Sequence, residues 1–223
     1  MGIASNGPHG NHRGRIGNVV YYVLNGKNVA REIGKTTKPP TQAQLKVRSE
    51  IKLVSQFLKP LGEFINVGFG IEQLGTDKNA FNLAMAYNRP HAIKGSYPNL
   101  KIAYEKVQIS KGPLKTAENL RVEESPAGLQ FNWDTNPQMA WQESTDQAMV
   151  LVYFPDQKKV FYTLFGNSRL SGTMEQEIPA SLKGKHMESY ISFISADRKQ
   201  VSDSIYTGRF NSPEANEISN SNS

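Results

Sequence analysis

The chain has 223 residues, with 26 Lys and Arg, 20 Asp and Glu, four His and no Cys, and 38% of it is hydrophobic. It is long and apolar enough to bury a core, while the missing Cys excludes disulfides, thiolate metal sites and cysteine nucleophiles. No run of about 18 apolar residues occurs, so no segment reads as a membrane-spanning helix.

Charge is unevenly placed. Through Leu61 the chain holds ten Lys and Arg against Glu32 and Glu50, a net of +8, whereas the remainder holds 16 basic and 18 acidic residues. A basic N-terminal quarter points to nucleic acid, an anionic surface or an acidic protein as partner, with a solvated basic face as the plain alternative.

Residues 1–14 (MGIASNGPHGNHRG) are rich in Gly, Asn and His and read as a mobile, loop-like start. Met1 to Tyr22 contains no apolar h-region, so a secretory signal is not expected and the chain is expected to remain cytoplasmic as synthesised. Incorporation into an assembly, or export by a signal-independent route, would be compatible with that. A basic head is expected over 15–95. Val19–Leu24 and Asn28–Ile33 flank Asn25-Gly26, a strong hairpin signal. Pro39-Pro40 ends the strand, and Thr41 with Gln44 forms a capping box. Val47, Ile51, Val54, Leu58, Leu61 and Ile65 then recur at helical spacing, with Pro60 expected to kink or split the helix. That stripe serves either its own domain or a partner helix. A second helix is predicted over Lys78–Tyr87, capped by Thr76 or Asp77.

From residue 96 to 211 the pattern is β. Lys101–Ser110 reads as a leading strand. Seven more follow at Leu120–Glu123, Leu129–Trp133, Met149–Phe154, Val160–Phe165, Thr173–Ile178, Tyr190–Ser195 and Ser204–Phe210. The fold class predicted is therefore α+β: a hairpin plus helices, then an all-β immunoglobulin or fibronectin type III-like sandwich. Trp133 is expected between the sheets and Tyr190 at a tyrosine corner. Residues 212–223 (SPEANEISNSNS) read as a disordered tail.

The segments GRIGNVVYYVLNGKNVAR, KPPTQAQLKVRSEIKLVSQFLKPLGEFINVGF, YNRPHAIKGSYPNLKIAYEKVQISKGPL and ISFISADRKQVSDSIYTG resemble an uncharacterised family of Bacteroides-type bacteria, known as a domain of unknown function. The likeness spans residues 14–210. It departs at Pro39-Pro40, where that family has Asn-Pro. It implies a bacterial or phage source and brings no catalytic residue with it.

The residues offer little chemistry. No G-x-S-x-G elbow occurs, and His9 and His12 lack a carboxylate nearby to complete a metal site. Asp134-Thr135-Asn136 starts like a calcium loop, but Pro137 follows and the required Gly and Glu are missing. No catalytic residue, metal or cofactor is assigned. The leading expectation is a non-enzymatic structural or interaction protein. Its basic head would dock onto a larger assembly, such as a virion or injection machine, through a protein partner, a second copy of itself being one option. Its sandwich would present recognition loops. The first alternative is nucleic-acid binding through Arg13, Arg15, Lys27, Arg31, Lys46 and Arg48, with Tyr21 and Tyr22 as stacking rings. The second is a carbohydrate-binding sandwich using Trp141 or Tyr153, for which Trp141 would have to be exposed.

Overall fold

A computed structural model describes residues 2–5, 11–24, 26–35 and 37–212. It is mixed α+β and forms two compact units, residues 1–42 and 43–223. The helices thus belong with the C-terminal sheets rather than with the hairpin, so the division falls after Gln42 instead of near residue 95.

The first unit is one antiparallel sheet of four strands in sequence order: β1 (Gly2–Ser5), β2 (Asn11–Ile16), β3 (Val19–Leu24) and β4 (Lys27–Glu32). The hairpin forms as its Asn-Gly signal requires. Leu24 pairs with Lys27, and Gly26 takes a φ of 75°, a left-handed conformation open to glycine. Asn25 itself lies outside the described residues. Residues 2–5 and 11–14 differ from the loop-like reading: they pair as strands, Ile3 opposite Arg13. Their composition hides this, because Asn, His, Arg and Gly give no apolar alternation. Ile3 and every described residue from 11 to 42 are at least partly exposed.

The second unit opens with α1 (Gln42–Leu58), a 3-10 turn at Lys59–Leu61, and α2 (Gly62–Gly68). Pro60 ends α1, since it has no N–H to give and its ring obstructs the preceding turn. Only the last four positions of the predicted stripe are buried: Val54, Leu58, Leu61 and Ile65 are 0% exposed, while Val47 and Ile51 stay at 38% and 43%. Next comes α3 (Ala80–His91), capped by Asn79, whose side chain accepts from the Asn82 N–H at 2.8 Å. The cap thus sits two or three residues later than predicted.

The two-residue strands β5 (Ile93–Lys94) and β6 (Lys101–Ile102) follow. Lys101–Ser110 is not the continuous strand expected: after β6 it turns through a 3-10 helix at Tyr104–Lys106. Buried Asn88 of α3 ties this segment down, donating to the Gln108 carbonyl at 2.7 Å and accepting from its N–H at 2.9 Å.

The seven remaining predicted strands all form: β7 (Arg121–Glu124), β8 (Gly128–Asn132), β9 (Gln147–Phe154), β10 (Lys159–Thr163), β11 (Thr173–Glu177), β12 (Met187–Ile194) and β13 (Ile205–Phe210). A one-turn helix, α4 (Trp141–Ser144), lies between β8 and β9. The sheets are ordered β11-β8-β7 and β10-β9-β12-β13. Alternation along β9 and β12 separates two cores. Val150, Val152, Phe154, Ile191 and Phe193 meet Leu129, Phe131, Trp133 and Met174 of the three-stranded sheet. Met149, Leu151, Tyr153, Tyr190 and Ile194 meet Val54, Phe57, Leu61, Phe64 and Ile65 of the helices. A sheet covered on both faces explains why AMVLVYF is one unbroken apolar run.

Trp133 fills the inter-sheet core as expected. Tyr190 makes no tyrosine corner; it faces the helices, and its hydroxyl donates to the Tyr104 carbonyl at 2.9 Å, 86 residues upstream. No helix among the described residues is long and apolar enough to cross a membrane.

Candidate functional site

The antiparallel register brings three loops of the second unit to one end. They are 133–146 before β9, 164–172 after β10, and 195–204 after β12. Arg169, only 5% exposed, locks that end. Its Nη2 donates to the Lys115 carbonyl at 2.7 Å and to Asp146 Oδ2 at 3.1 Å, and its Nη1 donates to the Thr116 carbonyl at 3.3 Å. Its guanidinium carbon sits 3.8 Å from the centre of the Phe193 ring. Trp133 Nε1 donates to the Arg169 carbonyl at 2.7 Å. Burial pushes the Asp146 carboxyl up, and the adjacent Arg169 pulls it back without cancelling the effect.

This rigid frame carries apolar tips. Trp141 is 81% exposed, and Phe165 and Leu170 are about half exposed. The Arg198 guanidinium lies 3.9 Å from the Phe165 ring centre. A cleft of about 310 Å³ lies among Lys115, Trp133, Asn136, Glu143 and Arg169. A second, of about 530 Å³, lies among Leu114, Gln142, Asp146, Ser195, Asp197 and Gln200. Lys115 and Glu143, paired at 3.2 Å, belong to both walls. Trp141 stands between Ala140 and Gln142 of the second wall. Tyr153, the other aromatic weighed for sugar binding, is 5% exposed in the helix-facing core and has no open face to offer.

The predicted basic residues divide between the units. Arg13 and Arg15 lie on β2, and Lys27 and Arg31 on β4, all four exposed. Lys46 and Arg48 lie on α1 in the other unit, where Lys46 pairs with Glu50 at 4.0 Å. His9 and the tail after Ser212 lie outside the described residues.

Three buried charged residues escape sequence reasoning: Arg169, its partner Asp146, and Glu188. Arg169 sits in Asn-Ser-Arg-Leu-Ser, which reads as a polar turn and carries no sign of burial. Glu188 is 0% exposed in β12. It accepts from His186 Nε2 at 2.9 Å, Arg209 Nε at 3.2 Å and the Tyr206 hydroxyl at 2.6 Å, so the buried carboxylate is well partnered. Burial, with the bond to Glu188 next, pushes the Tyr206 hydroxyl well up. Among the described residues, no three His, Cys, Asp or Glu are grouped to hold a metal ion.

No curated protein and no solved structure matches the chain. Residues 11–208 match a family profile, and the chain belongs to the family of unknown function DUF6266.

Proposed function

We propose that the protein is a non-enzymatic interaction protein whose second unit carries a fibronectin type III-like sandwich that presents its loop end for recognition. The strand orders β11-β8-β7 and β10-β9-β12-β13 support that reading of the sandwich, as they are the orders of a seven-stranded Greek-key sandwich. The first unit is the docking part, through which the chain joins a larger assembly. It is basic, and Ile3 and every described residue from 11 to 42 stay at least partly exposed, so a partner would supply the cover that a small sheet needs.

One observation carries the recognition reading: Trp141, Phe165 and Leu170 are exposed on loops whose base is locked by Arg169 and Asp146. Exposed apolar tips on a rigid frame are the usual form of a binding end. Photocrosslinking from position 141 in the source cells, with position 175 on β11 as control, tests it. A discrete adduct specific to position 141, lost in Leu170→Ala, is expected; equal labelling from both positions would sink the reading.

A second reading, carbohydrate binding, is favoured by the exposed Trp141 next in the chain to Ala140 and Gln142 of the 530 Å³ cleft, whose mixed lining also includes Asp197 and Gln200. An indole face stacks on a pyranose ring while amides and carboxylates take its hydroxyls. Affinity electrophoresis through gels cast with soluble polysaccharides would show retardation that disappears in Trp141→Ala. Unretarded migration in every gel excludes it.

A further inference from the structure

We propose that one face of the N-terminal sheet binds single-stranded nucleic acid. This rests on the reading of the first unit as the docking part and names its partner. In an antiparallel sheet, residues directly opposite each other share a face, and successive residues alternate. Arg15 lies opposite Val20, which lies opposite Arg31; Tyr22 lies opposite Val29, and Leu24 opposite Lys27. The His12 ring is 5.4 Å from that of Tyr21, on the other face, so Arg13 falls on the side of Arg15.

One face therefore gathers Arg13, Arg15, Lys27 and Arg31 around Tyr22. The acid of these strands, Glu32, lies opposite Val19 on the other face, where the Asn18 amide holds it. None of the four cations has an ion-pair partner among the described residues, although Arg15 Nε donates to the Gly17 carbonyl at 2.9 Å.

The spacing suits a phosphate chain. Strand separation puts Arg15 and Arg31 roughly 10 Å apart across β3, and strand rise puts Arg13 and Arg15 about 7 Å apart along β2. Two rows of cations thus flank the partly exposed ring of Tyr22. A single strand can lay its phosphates along the rows and stack a base on the ring. An acidic peptide would satisfy the charge and leave the ring without a base, and a lipid surface has no need of two ordered rows.

The test uses the full chain and fluorescent oligothymidylate and oligouridylate of about 20 nucleotides, long enough for any site of this size. Anisotropy is followed across a tenfold range of salt. Four phosphate contacts predict a slope of log K against log salt of about −2.8, and each Arg→Ala or Lys→Ala change should reduce its magnitude by about 0.7. Tyr22→Leu should weaken binding about tenfold and leave the slope alone. Lys183→Ala with Lys185→Ala, in the second unit, should change nothing. The combined variant Arg13→Ala, Arg15→Ala, Lys27→Ala and Arg31→Ala, checked for unchanged circular dichroism, should not bind.

Binding that survives in the combined variant overturns the proposal, as does no binding at low salt. If polyglutamate or phosphatidylserine vesicles bind through the same four residues and the oligonucleotides do not, the first unit remains a docking part and the nucleic-acid assignment falls. If none of the probes binds, both readings fall.

Discussion

Replacing Arg169 by Met should cost the protein about 3–5 kcal/mol, because it strands the buried Asp146 carboxylate. The Arg169 and Asp146 side chains are 5% and 4% exposed. The variant also removes the donors to the Lys115 and Thr116 carbonyls and the cation above Phe193. Methionine restores most of the volume, so packing loss adds little and the electrostatic cost dominates. Against a usual stability of about 5–15 kcal/mol, a loss of this size is large.

Urea unfolding followed by fluorescence suits the measurement, since buried Trp133 bonds the Arg169 carbonyl and packs against Phe193 with ring centres 5.4 Å apart. The midpoint should fall with an unchanged m-value. Without Arg169, burial acts unopposed on Asp146 and holds its folded pKa still further above the unfolded value. The native state then binds the proton more readily, so stability falls as pH rises through the carboxylate range. The variant's deficit should therefore shrink at acid pH. Arg169→Met with Asp146→Leu should be more stable than Arg169→Met alone, because it removes the stranded charge. A single-variant loss below about 1 kcal/mol, within reach of an exposed pair, would refute the argument, as would simple additivity in the double variant.

Three further outcomes follow from the packing. Glu63 accepts a hydrogen bond from the Tyr162 hydroxyl and, with burial, pushes its pKa up to about 12. This interaction is fully present below pH 10 and lost as pH rises through 12; Glu63→Gln should shift one tyrosine's absorbance titration back towards about 10. Asn88→Ala should cost about 1–3 kcal/mol in a urea melt, as it leaves the buried Gln108 N–H without its acceptor. A Cβ at Gly128 would fall 2.0 Å from the Gln176 carbonyl oxygen, so Gly128→Ala should destabilise the β8–β11 pairing by about 1–3 kcal/mol; an unchanged midpoint would contradict it.

Local pattern made most elements of the second unit legible. The seven strands from Arg121 to Phe210 follow from β-branched and aromatic runs punctuated by turn residues, and Pro60 ends α1 through its own ring. Such signals act within a few residues of chain. What they do not carry is pairing. β1 and β2 contain little apolar alternation, so their strand state exists only through their neighbours. Lys101–Ser110 has strand-like residues but gives up its ladder to the contacts of Asn88 and Tyr190, 20 and 86 residues away from their partners. The exposure of Trp141 and the burial of Arg169 likewise depend on how loops converge at one end of the sheets of the second unit. The amino-acid sequence alone determined that the N-terminal quarter is basic and that a strand-rich region follows. Only the tertiary structure decided that the helices cover one of those sheets, and that four cations share one face, because a face is set by register and register by long-range contacts.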